Sequence, residues 1–383
     1  FSVMDLLAGL GNFGTSAGGY IIPFLFVLTV VVFFHEMGHF LVARWCGVKV
    51  DTFSIGFGRE IFGRTDKYGT RWKLSWIPLG GYVKFAGDDN AASMPDTKAL
   101  AQVPESERKG LFFFKPLHQR AAVVAAGPIA NFILSIVIFA GIYSIVGHRT
   151  AIAMIESVQV GSAAEAAGFK ADDLVVSVNG SEIGGFEDMQ RVVSISPGVT
   201  MTFGVLRAGE NVTLTATPRR VEVTDGFGNV QAIGQLGISR KSGEGTDKIV
   251  KTDPFTGIYR GAQETWFIVS HTMRYLGAMI VGREDTSQLG GPLRIAEVSG
   301  QVATLGFAAL LNLTAVLSVS IGLLNLFPVP MLDGGHLLYY GIEAVKGKPL
   351  GMKAQEIGFR VGLALVMMLM VFATWNDLVR LFA

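Results

Sequence analysis

Four long apolar stretches constrain the fold of this chain more than any other feature of its sequence. They cover residues 20–43, 121–146, 305–327 and 357–372, and the last extends to Trp375. A helix needs roughly 20 mostly apolar residues to cross a bilayer. Only 16% of the 383 residues are charged, against roughly 25% in soluble proteins. The sequence therefore predicts a mainly α-helical membrane protein with four transmembrane helices.

The basic residues of the loops predict how these helices cross the membrane. Lysine and arginine concentrate in segments 44–120 and 330–356, and such an excess marks the cytoplasmic side. We therefore expect the N-terminus, the region 148–300 and the C-terminus on the opposite side. The first apolar stretch lacks the flanks of a cleaved signal, so we expect a permanent span. A net charge of +1 gives no attraction to nucleic acid, and the lone Cys46 excludes a cysteine zinc cluster.

The first predicted span contains three ionisable side chains. His35-Glu36-Met37-Gly38-His39 follows the HExxH pattern, in which two histidines on one helix face bind zinc and the glutamate handles a proton of water. Each such group within a span costs a few kcal/mol unless it faces protein and a partner. A histidine pair buried by hydrogen bonds is the alternative, and the position inside a span favours a metal site.

Asp333 is the best candidate for a third zinc ligand. Catalytic zinc generally has three protein ligands and one open position. Pro328 and Pro330 must break the third span ahead of Asp333, and broken backbone within a membrane is tolerated where protein encloses it or it lines a cavity. Both the histidines and Asp333 are expected near the cytoplasmic face. Two alternatives remain open, namely Asp333 as a helix N-cap and His336 as the ligand.

Glycines and prolines predict further local structure around these motifs. Gly334 and Gly335 are expected to loosen the chain after Asp333. Residues 70–85 alternate apolar and polar side chains, and a turn is expected at Pro78, Gly80 and Gly81. This pattern predicts a β-hairpin at the membrane interface, and an amphipathic hairpin packed on the helices is the alternative.

The remaining sequence predicts an inserted α+β domain followed by a linker. Strands are expected at 152–160, 174–178, 201–207, 212–217 and near 236–239, and helices at 163–167 and 186–194. Residues 264–282 are apolar on one side and predict an amphipathic surface helix. The expected domains are 1–147 with two spans and the hairpin, 148–245 as the inserted domain, 246–304 as the linker, and 305–383 with the last two spans.

Three motifs in this order resemble the site-2 protease family of zinc intramembrane metalloproteases, and most closely its bacterial RseP-type branch, the regulator of sigma-E proteases. They are HEMGH in the first span, NLFPVPMLDGG at 325–335, and a PDZ-like segment at 161–180. Residues 76–85 resemble the membrane-associated hairpin of the family, and 127–131 resemble its GxxxN motif. The best-known RseP-type enzymes have two PDZ domains, whereas one is expected here.

The resemblance implies a role for each matching residue. His35, His39 and Asp333 would bind one Zn²⁺, and Glu36 would be the general base. The implied substrate-binding residues are Asn325, Asn131, Trp76, Gly80, Gly81 and Tyr82. For Asn325 a hydrogen bond between helices is the alternative, and for Asn131 it is packing.

The resemblance also implies the partners and the location. The substrate would be a single-span membrane protein already shortened on its outer side, such as an anti-sigma factor, or a remnant signal peptide. The protein would lie in the bilayer of the bacterial inner membrane. A peptide or C-terminus is one expected ligand of the PDZ-like domain, and a PDZ-shaped spacer without a ligand is the alternative. Two other classes of protein are the alternatives, namely a metal-dependent membrane scaffold or sensor without proteolysis, and a transporter, which would need more polar groups in its spans.

Overall fold

A computed structural model describes residues 17–87, 108–224, 230–240, 247–281 and 290–382. The chain forms two compact units. The first, here called the membrane unit, comprises Phe1–Ala140 and Ile258–Ala383, and the second, the inserted unit, comprises Gly141–Gly257. The inserted unit begins earlier and ends later than the predicted domain at 148–245.

The described residues are mostly helical, with twelve strands. In chain order the helices are α1 (Ala17–Trp45), α2 (Leu117–Gly141), α3 (Ala163–Ala166), α4 (Phe186–Ser194), α5 (Pro254–Ile280), α6 (Pro292–Thr304), α7 (Phe307–Asn325), α8 (Asp333–Lys346) and α9 (Met352–Phe382). The strands are β1 (Val50–Thr65), β2 (Arg71–Phe85), β3 (His148–Ala151), β4 (Ile155–Val158), β5 (Leu174–Val178), β6 (Ser181–Glu182), β7 (Met201–Arg207), β8 (Glu210–Ala216), β9 (Arg219–Thr224), β10 (Val230–Gln235), β11 (Ile238–Arg240) and β12 (Asp247–Val250).

Four helices among the described residues are long and apolar enough to cross a membrane. They are Gly18–Trp45, Leu117–Val146, Phe307–Asn325 and Lys353–Val379, and each coincides with one of the apolar stretches. Helix α2 approaches α1 closely at Gly38, where a Cβ would lie 2.7 Å from the Ala130 Cβ. A glycine at this position therefore brings the two backbones together, as small residues commonly do between membrane helices.

The hairpin between α1 and α2 is larger than predicted, because a further strand, β1, precedes it and pairs with it. Strands β1 and β2 pair antiparallel, and the loop between them is closed by Asp66, whose Oδ1 accepts hydrogen bonds from the backbone N–H of Tyr68 and Thr70. Residues 71–74 run parallel to residues 52–55 of β1, whereas residues 81–85 run antiparallel to the same residues. The chain therefore reverses direction between residues 74 and 81, which confirms the turn predicted at Pro78, Gly80 and Gly81, and Gly81 pairs with Ile55.

An aromatic cluster joins this hairpin to α1. The ring of Phe53 packs edge-on against that of Phe40 at 5.5 Å and lies 4.6 Å from that of Trp72. All three side chains belong to one core with Phe85 and Val83. The hairpin is therefore fixed to α1 beside the histidine pair rather than attached only through its ends.

Two helices occupy the segment that was predicted as a linker. Helix α5 begins ten residues before the predicted amphipathic helix, and Gly261 lets it approach α2, since a Cβ there would lie 2.6 Å from the Ile136 carbonyl oxygen. The hydroxyl groups of Thr265 and Ser135 also hydrogen bond at 3.3 Å. Helix α6 packs on α1, with Gly300 against Tyr20. The segment is therefore part of the membrane unit.

The inserted unit is built around a four-stranded sheet of order β6-β5-β7-β8. Its core contains the buried side chains of Ile155, Met189 and Phe203. The structure confirms the predicted strands at 174–178 and 201–207 and the helix at 186–194. The antiparallel pairs β9–β10 and β3–β12 were missed. Because β3 and β12 pair, the chain enters and leaves this unit side by side. The likeness to a PDZ domain stays a prediction.

Candidate active site and metal centre

Helix α1 places both histidines of the HExxH motif on one face. His35 and His39 are separated by about one helical turn, and their Nε2 atoms lie 3.3 Å apart. The His35 side chain is buried. His39, one turn later in α1, hydrogen bonds through Nδ1 to the Val123 carbonyl oxygen at 2.8 Å. A backbone carbonyl can only accept, so the proton of the His39 ring is on Nδ1 and Nε2 has a free lone pair.

Asp333 comes from the other end of the chain and meets the same two nitrogens. Its carboxylate oxygens lie 3.2 Å from His35 Nε2 and 3.5 Å from His39 Nε2. Asp333 is the first residue of α8, and the N-cap position belongs to Leu332. Burial raises the pKa of the Asp333 carboxyl, whereas the neighbouring imidazoles lower it by a larger amount. The net pKa is therefore well below its ordinary value. This shift favours the ionised form, which is the form of a carboxyl group that binds a metal.

The spacing of these three side chains fits one small cation. Zinc binds nitrogen and oxygen ligands at about 2.0–2.1 Å in tetrahedral geometry, and two ligand atoms of such a tetrahedron are then about 3.3 Å apart. The three distances here are 3.2, 3.3 and 3.5 Å. Among the described residues, His35, His39 and Asp333 form the group of ligand atoms that could hold a metal ion.

A further observation supports a cation at this position. The Asp333 Oδ2 atom is buried, and it accepts no hydrogen bond from the described residues. A buried carboxylate oxygen without a donor is costly, and a metal ion bound there would satisfy it.

The turn between α7 and α8 is tightly packed. Helix α7 ends at Asn325, and the chain then turns through Pro328 and Pro330. The prediction that Gly334 and Gly335 loosen the chain is wrong. They form the first turn of α8, where a Cβ on Gly335 would lie 2.7 Å from the Pro330 Cα and one on Gly334 would collide with backbone oxygens of the same turn. The two glycines therefore allow a close approach that fixes Asp333.

Met331 holds a strained backbone conformation two residues before Asp333. Its φ is 96°, a region that side-chain-bearing residues rarely adopt. Such strain costs about 1–3 kcal/mol and is found at sites where function requires a particular backbone path.

Helix α2 forms the back wall of the histidine pair. A Cβ on Gly127 would lie 2.5 Å from the His39 Cε1 and 2.9 Å from the His35 Cε1, so the rings occupy the space that a side chain would need. One turn further along α2, the Asn131 amide lies 3.3 Å from His35 Nδ1. The sequence resemblance pointed to the 127–131 motif, but the contact with the histidines could not be seen from the sequence.

Glu36 lies beside the edge of β2. Its carboxylate lies near the backbone N–H of Val83, and a Cβ on Gly81 would lie 3.3 Å from the Glu36 Cγ. Backbone groups of alternate residues in a strand point to the same edge, so Gly81, Val83 and Phe85 turn their N–H and C=O groups toward the site. Val83 and Phe85 were not among the predicted substrate-binding residues.

These residues line a cavity of about 850 Å³. The cavity includes His35, Glu36, His39 and Asp333, together with three of the predicted substrate-binding residues, Asn325, Gly81 and Tyr82. His336 also lines it, but it is not in the ligand group.

Three other predicted substrate-binding residues do not line the cavity. Trp76 is 67% exposed, Gly80 packs on the Phe57 ring, and Asn131 is completely buried behind His35. The far end of the cavity holds an ion pair between Arg120 and Glu343, which was not predicted.

Comparison with known proteins identifies the family. Residues 23–369 match the model of peptidase family M50. A relative from Agrobacterium fabrum, named "Putative zinc metalloprotease", is 51% identical over 94% of this chain and 96% of its own length. A relative from Rhizobium meliloti with the same description is 49% identical over 95% and 97%. Metalloprotease MmpA from Caulobacter vibrioides is 40% identical over 94% and 95%. The chain thus belongs to peptidase family M50, the site-2 protease family, and is a membrane-embedded zinc metalloprotease.

Proposed function

We propose that this protein hydrolyses a peptide bond within or near the transmembrane segment of single-span membrane proteins. The observation that carries the proposal is the convergence of His35, His39 and Asp333 at distances of 3.2–3.5 Å, inside a helix long and apolar enough to span a membrane. We assign these three residues as the zinc ligands. The bound zinc supplies a Lewis acid that polarises the scissile carbonyl and makes a water molecule more acidic.

Glu36 has the position of the general base. Its carboxylate lines the cavity next to the histidine pair and lies near the backbone N–H of Val83. It takes a proton from the attacking water and returns it to the leaving amine of the cleaved bond. Asn325 lines the same cavity from the end of α7, and its amide is placed to hold the substrate backbone or stabilise negative charge on the carbonyl oxygen.

The test of this assignment is Glu36→Gln, which keeps the size of the side chain and removes the base. We expect cleavage of a model single-span substrate to fall at least ~100-fold, while the variant still contains one zinc per chain. Cleavage at the wild-type rate would remove Glu36 from the mechanism. Loss of zinc from the variant would instead make Glu36 a ligand.

The edge of β2 is proposed to hold the unwound substrate. A helix hides its carbonyl groups in its own hydrogen bonds, so the substrate must become extended at the zinc, and exposed backbone within a membrane needs a partner. Pairing of the substrate with Gly81, Val83 and Phe85 would provide one by strand addition. In the cavity these backbone groups lie directly beside Glu36.

Proline substitutions test this pairing with a matched control. Val83→Pro removes an N–H at the cavity edge, whereas Ile77→Pro alters a β2 residue that pairs with Phe57 and does not line the cavity. We expect Val83→Pro to abolish cleavage and Ile77→Pro to retain more of it. Equal rates for both variants and the wild type would rule out strand addition. Because Val83 also contacts Glu36, the zinc content and the binding of an uncleavable substrate are measured beside the rate.

The membrane orientation follows from the loop charges. We propose an inner-membrane protein of a bacterium with segments 44–120 and 330–356 in the cytoplasm and the inserted unit on the periplasmic side. Cys46, the only cysteine in the sequence, immediately follows α1 and gives a direct test. A membrane-impermeant maleimide should label it in inverted membrane vesicles and not in intact spheroplasts. The opposite labelling pattern would reverse the topology.

The inserted unit is proposed to act as a PDZ-like domain that excludes or recognises substrates. We propose that the preferred substrate is already shortened on its outer side, as an anti-sigma factor in envelope-stress signalling or a remnant signal peptide would be. Two substrates with the same apolar helix, one with and one without a folded outer domain, test this. The shortened form should be cleaved much faster, and deletion of residues 152–240 should remove the difference. Equal cleavage of both forms by the full chain would refute the proposed selection.

A further inference from the structure

Asn131 reaches the histidine pair from behind and is completely buried in α2. Its amide group lies 3.3 Å from His35 Nδ1, and its Oδ1 has no hydrogen-bond partner among the described residues. A buried amide oxygen without a donor is costly. The side chain therefore has one specific neighbour, and that neighbour is a proposed zinc ligand.

The proposed role of His35 as a zinc ligand determines which group donates in this hydrogen bond. Its Nε2 faces Asp333 and His39, and this nitrogen must be unprotonated to bind a metal, so the ring proton belongs on Nδ1. An Nδ1–H group needs an acceptor. A half-turn of the Asn131 amide exchanges its nitrogen and oxygen, which brings Oδ1 to Nδ1 and satisfies both groups.

His39 also has a hydrogen-bond acceptor on α2, but that acceptor belongs to the backbone. His39 Nδ1 faces the Val123 carbonyl oxygen, 2.8 Å away, so α2 provides an acceptor behind each ring. A backbone carbonyl serves His39, whereas His35 depends on a side chain that can be changed.

Helix α7 holds Asn131 in place. The Ser318 hydroxyl donates a hydrogen bond to the Asn131 backbone oxygen at 2.9 Å, and a Cβ on Gly322 would lie 3.1 Å from the Asn131 Cβ. The same helix leads into the turn that carries Asp333. We propose that Asn131 is a positioning residue that keeps the His35 ring proton on Nδ1 and its Nε2 turned toward the metal. This inference rests on the proposed zinc ligands.

Two substitutions of opposite character separate this role from packing. Asn131→Leu keeps the branched shape and the number of side-chain heavy atoms and removes the acceptor, whereas Asn131→Asp retains an acceptor and introduces a buried charge. If the residue only filled space, leucine would be tolerated and aspartate would not. If Asn131 orients His35, aspartate would be tolerated and leucine would not. Ser135→Ala is the control, because it alters another buried polar residue of α2 that bonds to Thr265.

The measurement is the zinc affinity of the purified full chain in detergent, by competition with a chromophoric chelator at pH 7. We expect Asn131→Leu to bind zinc 10–100-fold more weakly, while Asn131→Asp and Ser135→Ala bind as tightly as the wild type. Wild-type affinity of the leucine variant, or weaker binding by the aspartate than by the leucine variant, would overturn the proposal.

Two further measurements keep the inference separable from the proposed function. Asp333→Ala should lose zinc whether or not Asn131 orients His35, so zinc binding by that variant would refute the ligand assignment itself. Nitrogen-15 NMR of labelled histidine in the zinc-loaded wild type requires no variant at Asn131. It should show a protonated, hydrogen-bonded Nδ1 on His35, and an unprotonated Nδ1 would refute the orienting role.

Discussion

Replacing Gly127 with alanine should empty the metal site while leaving α2 intact. The new Cβ would lie 2.5 Å from the His39 Cε1 and 2.9 Å from the His35 Cε1, whereas carbon atoms in contact prefer about 3.5–4.0 Å. The rings would therefore have to move by roughly 1 Å. Metal sites tolerate deviations of about 0.2 Å in ligand distance, so this displacement is several times too large.

The substitution should not weaken the helix itself. Alanine favours a helix interior over glycine by about 1 kcal/mol, so any loss of function would come from the displaced imidazoles. Rotation of the His39 ring offers no simple relief, because its Nδ1 is held by the Val123 carbonyl. We expect zinc affinity to fall at least ~100-fold, and cleavage to fall with it, as misplacement of a reacting group by about 1 Å can cost ~10²-fold in rate.

The control is Gly141→Ala, at the end of the same helix, where a Cβ would have no neighbour within 4 Å. Zinc per chain is determined by elemental analysis after dialysis against buffered zinc, and helix content and thermal unfolding by circular dichroism. Gly141→Ala should match the wild type in every measurement. A folded Gly127→Ala protein with one zinc per chain and normal activity would refute the steric reasoning.

Two further predictions concern stability. Asp173 in the inserted unit accepts two hydrogen bonds from Arg207; burial raises the pKa of Asp173, but the bonds to Arg207 lower it more, so the folded pKa is below the ordinary value. The stabilisation is therefore present at neutral pH and is lost as the pH falls below about 4. Asp173→Asn should lower the free energy of unfolding by about 2 kcal/mol at pH 7, with a difference that shrinks in acid, as measured by hydrogen exchange of the β5 amides in the full chain. An unchanged difference at low pH would exclude the ion pair as its source. Met331→Gly should raise the thermal unfolding temperature, because glycine adopts the positive φ of Met331 without strain. The control is Leu332→Gly, where φ is −94°, and this variant should unfold at a lower temperature. A lower unfolding temperature for both variants would show that Met331 is not strained.

The spans and the grouping of His35, His39 and Asp333 could be predicted because each follows from a simple physical rule. Two histidines spaced by one helical turn lie on the same face of the helix, and apolar stretches of this length have few alternatives to a membrane span. The link to Asp333, hundreds of residues away, came from the number of ligands that zinc needs together with the proline-broken helix ahead of it.

The errors arose where the partner of a residue decides its conformation. The turn at Pro78, Gly80 and Gly81 could be predicted from its composition, but β1, which pairs with the segments on both sides of that turn, was missed. Gly334 and Gly335 suggested flexibility, and they allow close packing instead. Asn131 was expected to contact substrate or to pack, and only the arrangement of α1 against α2 reveals His35 as its neighbour.

The most direct test of the account is the zinc content and zinc K-edge absorption spectrum of the wild type and of Asp333→Ala. The wild type should contain one zinc per chain, with nitrogen and oxygen ligands at about 2.0–2.1 Å that include two imidazoles. Asp333→Ala should lose most of its zinc and all cleavage of the single-span substrate. If Asp333→Ala retains one tightly bound zinc and cleaves at the wild-type rate, then His35, His39 and Asp333 do not form the catalytic centre.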